Sequence, residues 1–350
     1  MAHEINASDR FGEVRVNGQR AWHGLGMEIE EGLTAVEAFP KIGLDWHTAL
    51  APVTAQIAGM GPDGPTTVNI PLKGTNPPMA HLRIDDQGSD HRLLGMVTQG
   101  YKPMENMDLA RFADALSIDG VEVETAGSLY NSRRVFCLVK LPNLIRATKD
   151  DVLENYILIQ NGHGGTAALS CYPTAVRVVC ANTLRWSETD LAKGIRFQHS
   201  GDFDEKLSQA RSVLGTAVQE AERFQEQVTA LVGKRLSAEE TSTLLQTIAD
   251  KTFGRLPDEF QVSGEVREKL ILKRTELIGQ WEVNLANSRQ SMAGIRGTAW
   301  AALNAVTEFH DHDRGRYAGV DESDARIGSN IFGVSHRAKV VAFKEALATV

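Results

Sequence analysis

The sequence predicts an α+β fold: a small antiparallel sheet packed on helices, followed by a mainly helical C-terminal region. Three observations lead there. Residues 121–172 consist of short alternating or β-branched runs divided by glycine, proline and asparagine turns. From Asp204 onward that alternation gives way to apolar spacings of three, four and seven. The chain, 350 residues with 42% hydrophobic content, is long enough to fill two domains, or one with a large extension.

The elements follow in order. Residues 1–125 read as a loop-rich mixed β/α layer. Ala51–Pro78 is punctuated by prolines and glycines, and Gly61-Pro62-Asp63-Gly64 suggests the tip of an exposed hairpin. His81–Ile84 and Leu93–Gln99 look extended, separated by the polar turn Asp85–Asp90. Leu109, Phe112, Ala113 and Leu116 have helical spacing, with Asn106 or Asp108 as the cap and Gly120 as the end. Val121–Thr125 alternates like a half-buried strand.

Residues 126–202 form the central block, a β-hairpin and helix core. Arg134–Lys140 is a strand stopped by Pro142, and Asn155–Gln160 and Thr166–Tyr172 form a hairpin around Asn161–Gly165. Val176, Val179, Cys180, Thr183 and Leu184 fall on one helical stripe, and Pro173 suits a helix start, so 176–184 is read as a helix. A boundary near Ser200–Asp202 introduces the helical region 203–350. There, Leu207, Leu214, Ala221 and Val228, with Ala210, Ala217, Phe224 and Leu231, make a heptad seam. It reads as an intramolecular helical pair, with an oligomer contact as the alternative. A capping box at Ser237–Glu240 opens a second helix; others cover about Gly264–Ser288 and Thr298–Phe309.

Composition excludes several classes. No run of 18 apolar residues is present, so no transmembrane helix is expected. MAHEINASDR lacks a charged-then-apolar leader pattern. Cys137, Cys171 and Cys180 form no CxxC pair and lie in apolar contexts, as small buried hydrophobes do, so a reducing cytoplasm is expected. Asn161-Gly162-His163-Gly164-Gly165 lacks the Lys-Ser/Thr of a phosphate loop. It reads as a turn needing positive φ, with a backbone phosphate nest as the sharper alternative. No nucleotide hydrolysis, cofactor or catalytic residue is expected.

Charge carries the functional reading. Lys and Arg number 37 against 45 Asp and Glu, for a net charge of -8. Residues 131–200 hold nine basic and five acidic side chains, a local +4 that leaves -12 for the rest. Arg133, Arg134, Lys140, Arg146, Arg177, Arg185, Lys193 and Arg196 are interleaved with Tyr130, Tyr172, Trp186 and Phe197. Cations along a track with aromatic faces between them are what single-stranded nucleic acid requires. Arg177 and Arg185, eight residues or about 80° apart around the helix, are expected to line one flank together, and Trp186 to be one of the stacking rings. The bland alternative is a solvated charged face with core aromatics. His310-Asp311-His312-Asp313 lies just past a helix end and supports a metal-dependent nuclease or hydrolase as the alternative, without a visible third or fourth ligand. An acidic helical protein-protein module that modulates host functions is a further alternative.

Four segments resemble a known family. Arg133-Arg134-Val135-Phe136, Asn161-Gly162-His163-Gly164, Thr174–Leu184 (TAVRVVCANTL) and Gly297–Glu308 (GTAWAALNAVTE) look like the phage/plasmid-like proteins of domain of unknown function 932. The resemblance spans roughly residues 10–345. It implies a setting of phage or plasmid DNA maintenance and recombination, with other phage or host recombination proteins as partners. The hairpin, third strand and following helix are similar in outline to single-strand annealing proteins of the RecT and Redβ type, which implies a homo-oligomer. The expected function is therefore non-enzymatic binding and annealing of single-stranded DNA.

Overall fold

A computed structural model of the chain describes residues 11–13, 15–16, 19–20, 27–28, 30, 32–61, 64–74, 76–84, 91–116, 123–177, 182–184, 195–197, 221–258, 261–287, 289–292, 294–314, 329 and 333–350. The fold is α+β, with antiparallel sheets and a helical C-terminal region.

The central sheet takes its length from the β-branched runs. Strands β10 (Val123–Leu129), β11 (Arg134–Arg146), β12 (Val152–Gly162) and β13 (Leu169–Arg177) form an antiparallel meander. Beyond β10 lie β1 (Phe11–Glu13) and, parallel to it, β4 (Met27–Glu28). At the other edge β13 is shared by β14 (Asn182–Leu184) and β15 (Ile195–Phe197). A separate sheet has the order β5 (His47–Pro52), β8 (Pro78–Ile84), β9 (Arg92–Thr98). Ribbons β2–β3 (Arg15–Val16, Gln19–Arg20) and β6–β7 (Thr54–Gly61, Gly64–Pro71) stand apart from both sheets. The hairpin expected at Gly61–Gly64 is the β6–β7 turn, where Gly61 pairs with Gly64.

One face of the central sheet is covered twice. Near the turn that follows β12, Val135, Cys137, Val139, Ile157, Ile159 and Cys171 pack on α1 (Ala35–Lys41) and α2 (Asn106–Leu116). Helix α2 buries Leu109, Phe112, Ala113 and Leu116, the stripe its spacing demands. At the far end, Ile145, Leu153 and Ala175 join a second core. That core contains helix α3 (221–233 of the described residues), α4 (Ala238–Phe253), α5 (Gly264–Ala286), α6 (Ala299–Glu308) and α7 (Val334–Leu347). Trp300 Nε1 donates to Asp151 Oδ2 at 2.9 Å, tying α6 to the sheet. Ser237 and Glu240 close the expected capping box on α4. Ala221, Phe224, Val228 and Leu231 are buried in this core, so the described half of the heptad seam is intramolecular. Its first half, Leu207–Ala217, lies outside the described residues.

Two expectations are corrected. The described ends of the segment read as a helix are strand: β13 runs through Arg177 and Asn182–Leu184 forms β14, while residues 178–181 lie outside the described residues. Here β propensity won over a short helical stripe, because Ala175–Arg177 pairs with β12 on one side and β14 on the other. Pro173 is not a helix start. It sits opposite Ile157, between the stretch of β13 that pairs with β15 (Leu169–Cys171) and the stretch that pairs with β14 (Ala175–Arg177). A residue without an N–H fits that gap between edge partners. Pro142 likewise does not stop β11. The register shifts between Lys140 and Leu144, and the strand goes on to Arg146.

Candidate nucleic-acid interface

Two turns lie side by side at one end of the central sheet. The β10–β11 turn is Tyr130–Arg133, and Tyr130, Asn131 and Ser132 have φ of 58°, 57° and 65°. Three consecutive non-glycine residues in the left-handed region are rare, because each Cβ crowds its own carbonyl. The β12–β13 turn follows Gly162. There Gly164 and Gly165 take the positive φ values, 64° and 73°, so the glycines of the Asn161–Gly165 motif do meet a backbone need.

The β5–β8–β9 sheet holds both turns from behind. Gly164 N–H donates to His81 Nδ1 at 2.9 Å, which leaves the His81 proton on Nε2. Gly95 backs directly onto Gly164: a Cβ at Gly164 would fall 2.4 Å from the Leu94 carbonyl oxygen. Arg83 lies over the Trp46 ring, 5.0 Å from its centroid, and donates through Nη1 to Ser132 Oγ at 2.7 Å. His163 packs tilted against Trp46, with ring centroids 5.0 Å apart, and shares a 2.9 Å bond between Nε2 and Asn106 Oδ1. The turns also hold each other. His163 N–H and Thr166 Oγ1 both donate to the Arg133 carbonyl, at 2.7 and 3.2 Å. Tyr101, against His81, reaches the Gly162 carbonyl at 3.5 Å, and burial pushes its phenol up to about 12.

This rigid mounting presents cations and one aromatic ring. Tyr130 is 39% exposed, and the Arg134 guanidinium lies 5.7 Å from its ring centroid. Burial pulls the Arg134 pKa down, while Tyr130 and Tyr172 oppose that. Arg133 is exposed at the same tip. Phe136, Gln160, Ser170 and Arg196 stand in one cross-strand row, so exposed Arg196 shares the Arg134 face of the sheet. Three strand spacings of about 4.8 Å and two residues along the strand separate the two arginines, or about 16 Å, with Phe136, Gln160 and Ser170 between them buried.

The other predicted cations stand elsewhere. Lys140 is on the same face, opposite Tyr156, and is held by Glu154 at 2.9 Å and Glu124 at 3.9 Å. Tyr156 O–H donates to Glu154 at 2.7 Å, and burial with the two carboxylates beside it drives its pKa far up. Arg177 ends β13, opposite Leu153 and Asn182. Arg185, Trp186 and Lys193 lie outside the described residues.

The metal candidates fall on a π-turn, Phe309–Asp313, that continues α6. His310 is buried among Phe253, Trp281 and Phe309, and neither ring nitrogen has a hydrogen-bond partner. Burial, then the charges of Arg314 and Lys339, lower its pKa to about 3, so it is neutral at physiological pH. Asp311 forms a buried ion pair with Lys339 at 2.7 Å, and Asp313 accepts from Asn284 at 2.8 Å. Among the described residues no three His, Cys, Asp or Glu side chains gather to hold a metal ion. Cys137 and Cys171 are buried free thiols, and burial raises the pKa of both.

A family profile covers residues 93–331, from β9 through both turns and most of the helical region. The chain belongs to the family described as Domain of unknown function (DUF932). No curated protein and no solved structure matches the chain. The outline likeness to RecT and Redβ proteins is not shown by any match. In DUF932 terms, the β10–β11 and β12–β13 turns lie inside the family segment, whereas α1, β5, the β6–β7 ribbon and β8 precede it. No helix among the described residues is long and apolar enough to cross a membrane.

Proposed function

We propose that the two-turn end of the central sheet binds single-stranded DNA, without enzymatic turnover, and that several protomers align complementary strands for annealing in phage or plasmid recombination. The supporting observation is the tip itself: partly exposed Tyr130, stacked by Arg134, is held beside exposed Arg133 on a strained turn, with Arg196 on the same sheet face. An aromatic ring offers a base a stacking face, and the arginines neutralise flanking phosphates. The tip is backed by Arg83, His81 and the Gly95–Gly164 contact, so little is lost in ordering it on binding. Lys140 takes no part here, because two carboxylates already hold its charge.

Fluorescence anisotropy of a labelled oligonucleotide, read at several salt concentrations, tests this. Three arginine–phosphate contacts give a log-log salt slope of about -2 for single strands. Arg133→Ala with Arg196→Ala flattens it by about 1.4. Tyr130→Ala weakens binding by about 1–3 kcal/mol with the slope retained. A folded double-arginine variant that binds single strands with unchanged affinity and slope removes the tip from the interface.

A further inference from the structure

We propose that the β6–β7 ribbon is an arm that docks on the outer face of the β5–β8–β9 sheet of a second copy of this chain, each copy giving one arm and receiving one. This goes beyond the strand-binding reading, and its test contains no nucleic acid, so either can fail alone.

The arm has an uncovered apolar face. Ile57 pairs with Val68 and Ala55 with Ile70, which puts all four on one side of the ribbon. Ile57, Val68 and Ile70 are 53%, 50% and 43% exposed. The opposite side carries the pairs Gln56–Asn69 and Ala58–Thr67. A lone two-stranded ribbon is marginal in water, and large β-branched side chains on an unbacked face call for a partner.

The receiving face is apolar too. In the β5–β8–β9 sheet, His81, Arg83 and Leu94 are buried on the side that holds the turns. The pairings Ala49–Leu82–Leu93 and Ala51–Ala80–Met96 place these six residues on the other side. Leu93 and Met96 there are 53% and 49% exposed. Arm and face are continuous in the chain, since Val53 alone separates β5 from β6 and its carbonyl accepts from Leu72 N–H at 3.0 Å.

Charge and area identify the occupant. From Thr48 to Leu72 the only charged residue is Asp63, in a chain where 23% of residues are charged and the net charge is -8. Two such chains repel each other over most of their surface, and this stretch is where they can meet without like-charge contact. A partner selected by opposite charge finds nothing here to select it. Eight residues at about 3.4 Å give an arm about 27 Å long; at about 10 Å wide, one arm on one face buries about 540 Å² in total. That is the size of a weak, transient contact, whereas two reciprocal contacts reach about 1,100 Å², the size of a stable one. Reciprocal exchange about a two-fold axis also closes the assembly and uses up both apolar faces.

Sedimentation of the full chain at tens of micromolar tests this, with thermal melts to confirm folding. The wild type is expected at twice 38.2 kDa. Ile57→Lys with Val68→Glu keeps the ribbon through a cross-strand ion pair but charges the arm; Leu93→Lys charges the face. Each variant alone is expected to be monomeric. An equimolar mixture retains one intact arm-on-face contact and is expected to form a heterodimer, at least tenfold weaker than the wild type. A monomeric wild type overturns the proposal, as does a dimer indifferent to the arm charges. Two monomeric variants that fail to complement point to arm-on-arm contact and overturn the exchange. A wild-type monomer that cosediments with zwitterionic lipid vesicles assigns the surface to a membrane and overturns it as well.

Discussion

The two turns at the end of the central sheet meet the same geometric demand with opposite chemistry. Both need positive φ. The β12–β13 turn supplies it with Gly164 and Gly165, the β10–β11 turn with Tyr130, Asn131 and Ser132. Space explains the difference. Gly164 lies against the Leu94 carbonyl and the Gly95 backbone, where no side chain fits. In the β10–β11 turn the side chains are used: Tyr130 meets Arg134, and Ser132 accepts from Arg83. Each such residue costs about 1–2 kcal/mol in the left-handed region, so this turn keeps a strain that glycine would remove. Retained strain of this kind concentrates at sites that bind or react.

Substitutions can break or sharpen that contrast. Gly164→Ala combines a left-handed alanine with a Cβ 2.4 Å from the Leu94 oxygen, and the sheets must part to fit it. Urea denaturation is expected to show a loss of about 3–5 kcal/mol. Gly165→Ala, where the nearest atom is the Val97 Cγ1 at 3.8 Å, isolates the backbone cost. It is expected to lower stability by about 1–2 kcal/mol. If the two alanine variants melt alike, the glycine contact with the small sheet is not what shapes this turn. Asn131→Gly reverses the sign. Asn131 is exposed, and asparagine tolerates the left-handed region better than most, so glycine is expected to add about 0.5 kcal/mol of stability. The same change loosens the mounting of Tyr130, so single-strand affinity falls modestly while the melting temperature rises. A variant that gains both would show that the strain serves no binding role.

Much of this fold was legible from local pattern. Alternation and β-branching located β11, β12 and β13, the Gly61–Gly64 signal located the arm tip, and the Ser237 box opened α4. What failed depended on partners far away in the chain. Val176 and Arg177 carry a helical stripe as well as β propensity, and only the neighbours β12 and β14 decide between them. Pro142 and Pro173 look like stops until a register shift and a gap between edge strands accommodate them. Of the candidate cations, Arg133 and Arg134 stand at the turn end of the central sheet and Arg196 three strands away, an arrangement set by strand register and not by their spacing in the sequence. Lys140 stands opposite Tyr156, and only the fold brings Glu154 and Glu124 to its ammonium. Nothing in the string Tyr-Asn-Ser announces three left-handed residues; Asn131 is the one hint.

The pairing of β1 with β10 sets a timetable for synthesis. Phe11–Glu13 has its antiparallel partner in Thr125–Gly127, more than a hundred residues later. At translation rates of about 5–20 residues per second, the first strand waits about 6–22 seconds for its place in the sheet. The arm, whose one charged residue is Asp63, emerges during that wait, before β10 and β11 exist and before the Gly164 turn can seat the sheet from which it grows. Nascent chains on one message therefore carry exposed arms within reach of each other, which makes assembly on the polysome a route open to this protein.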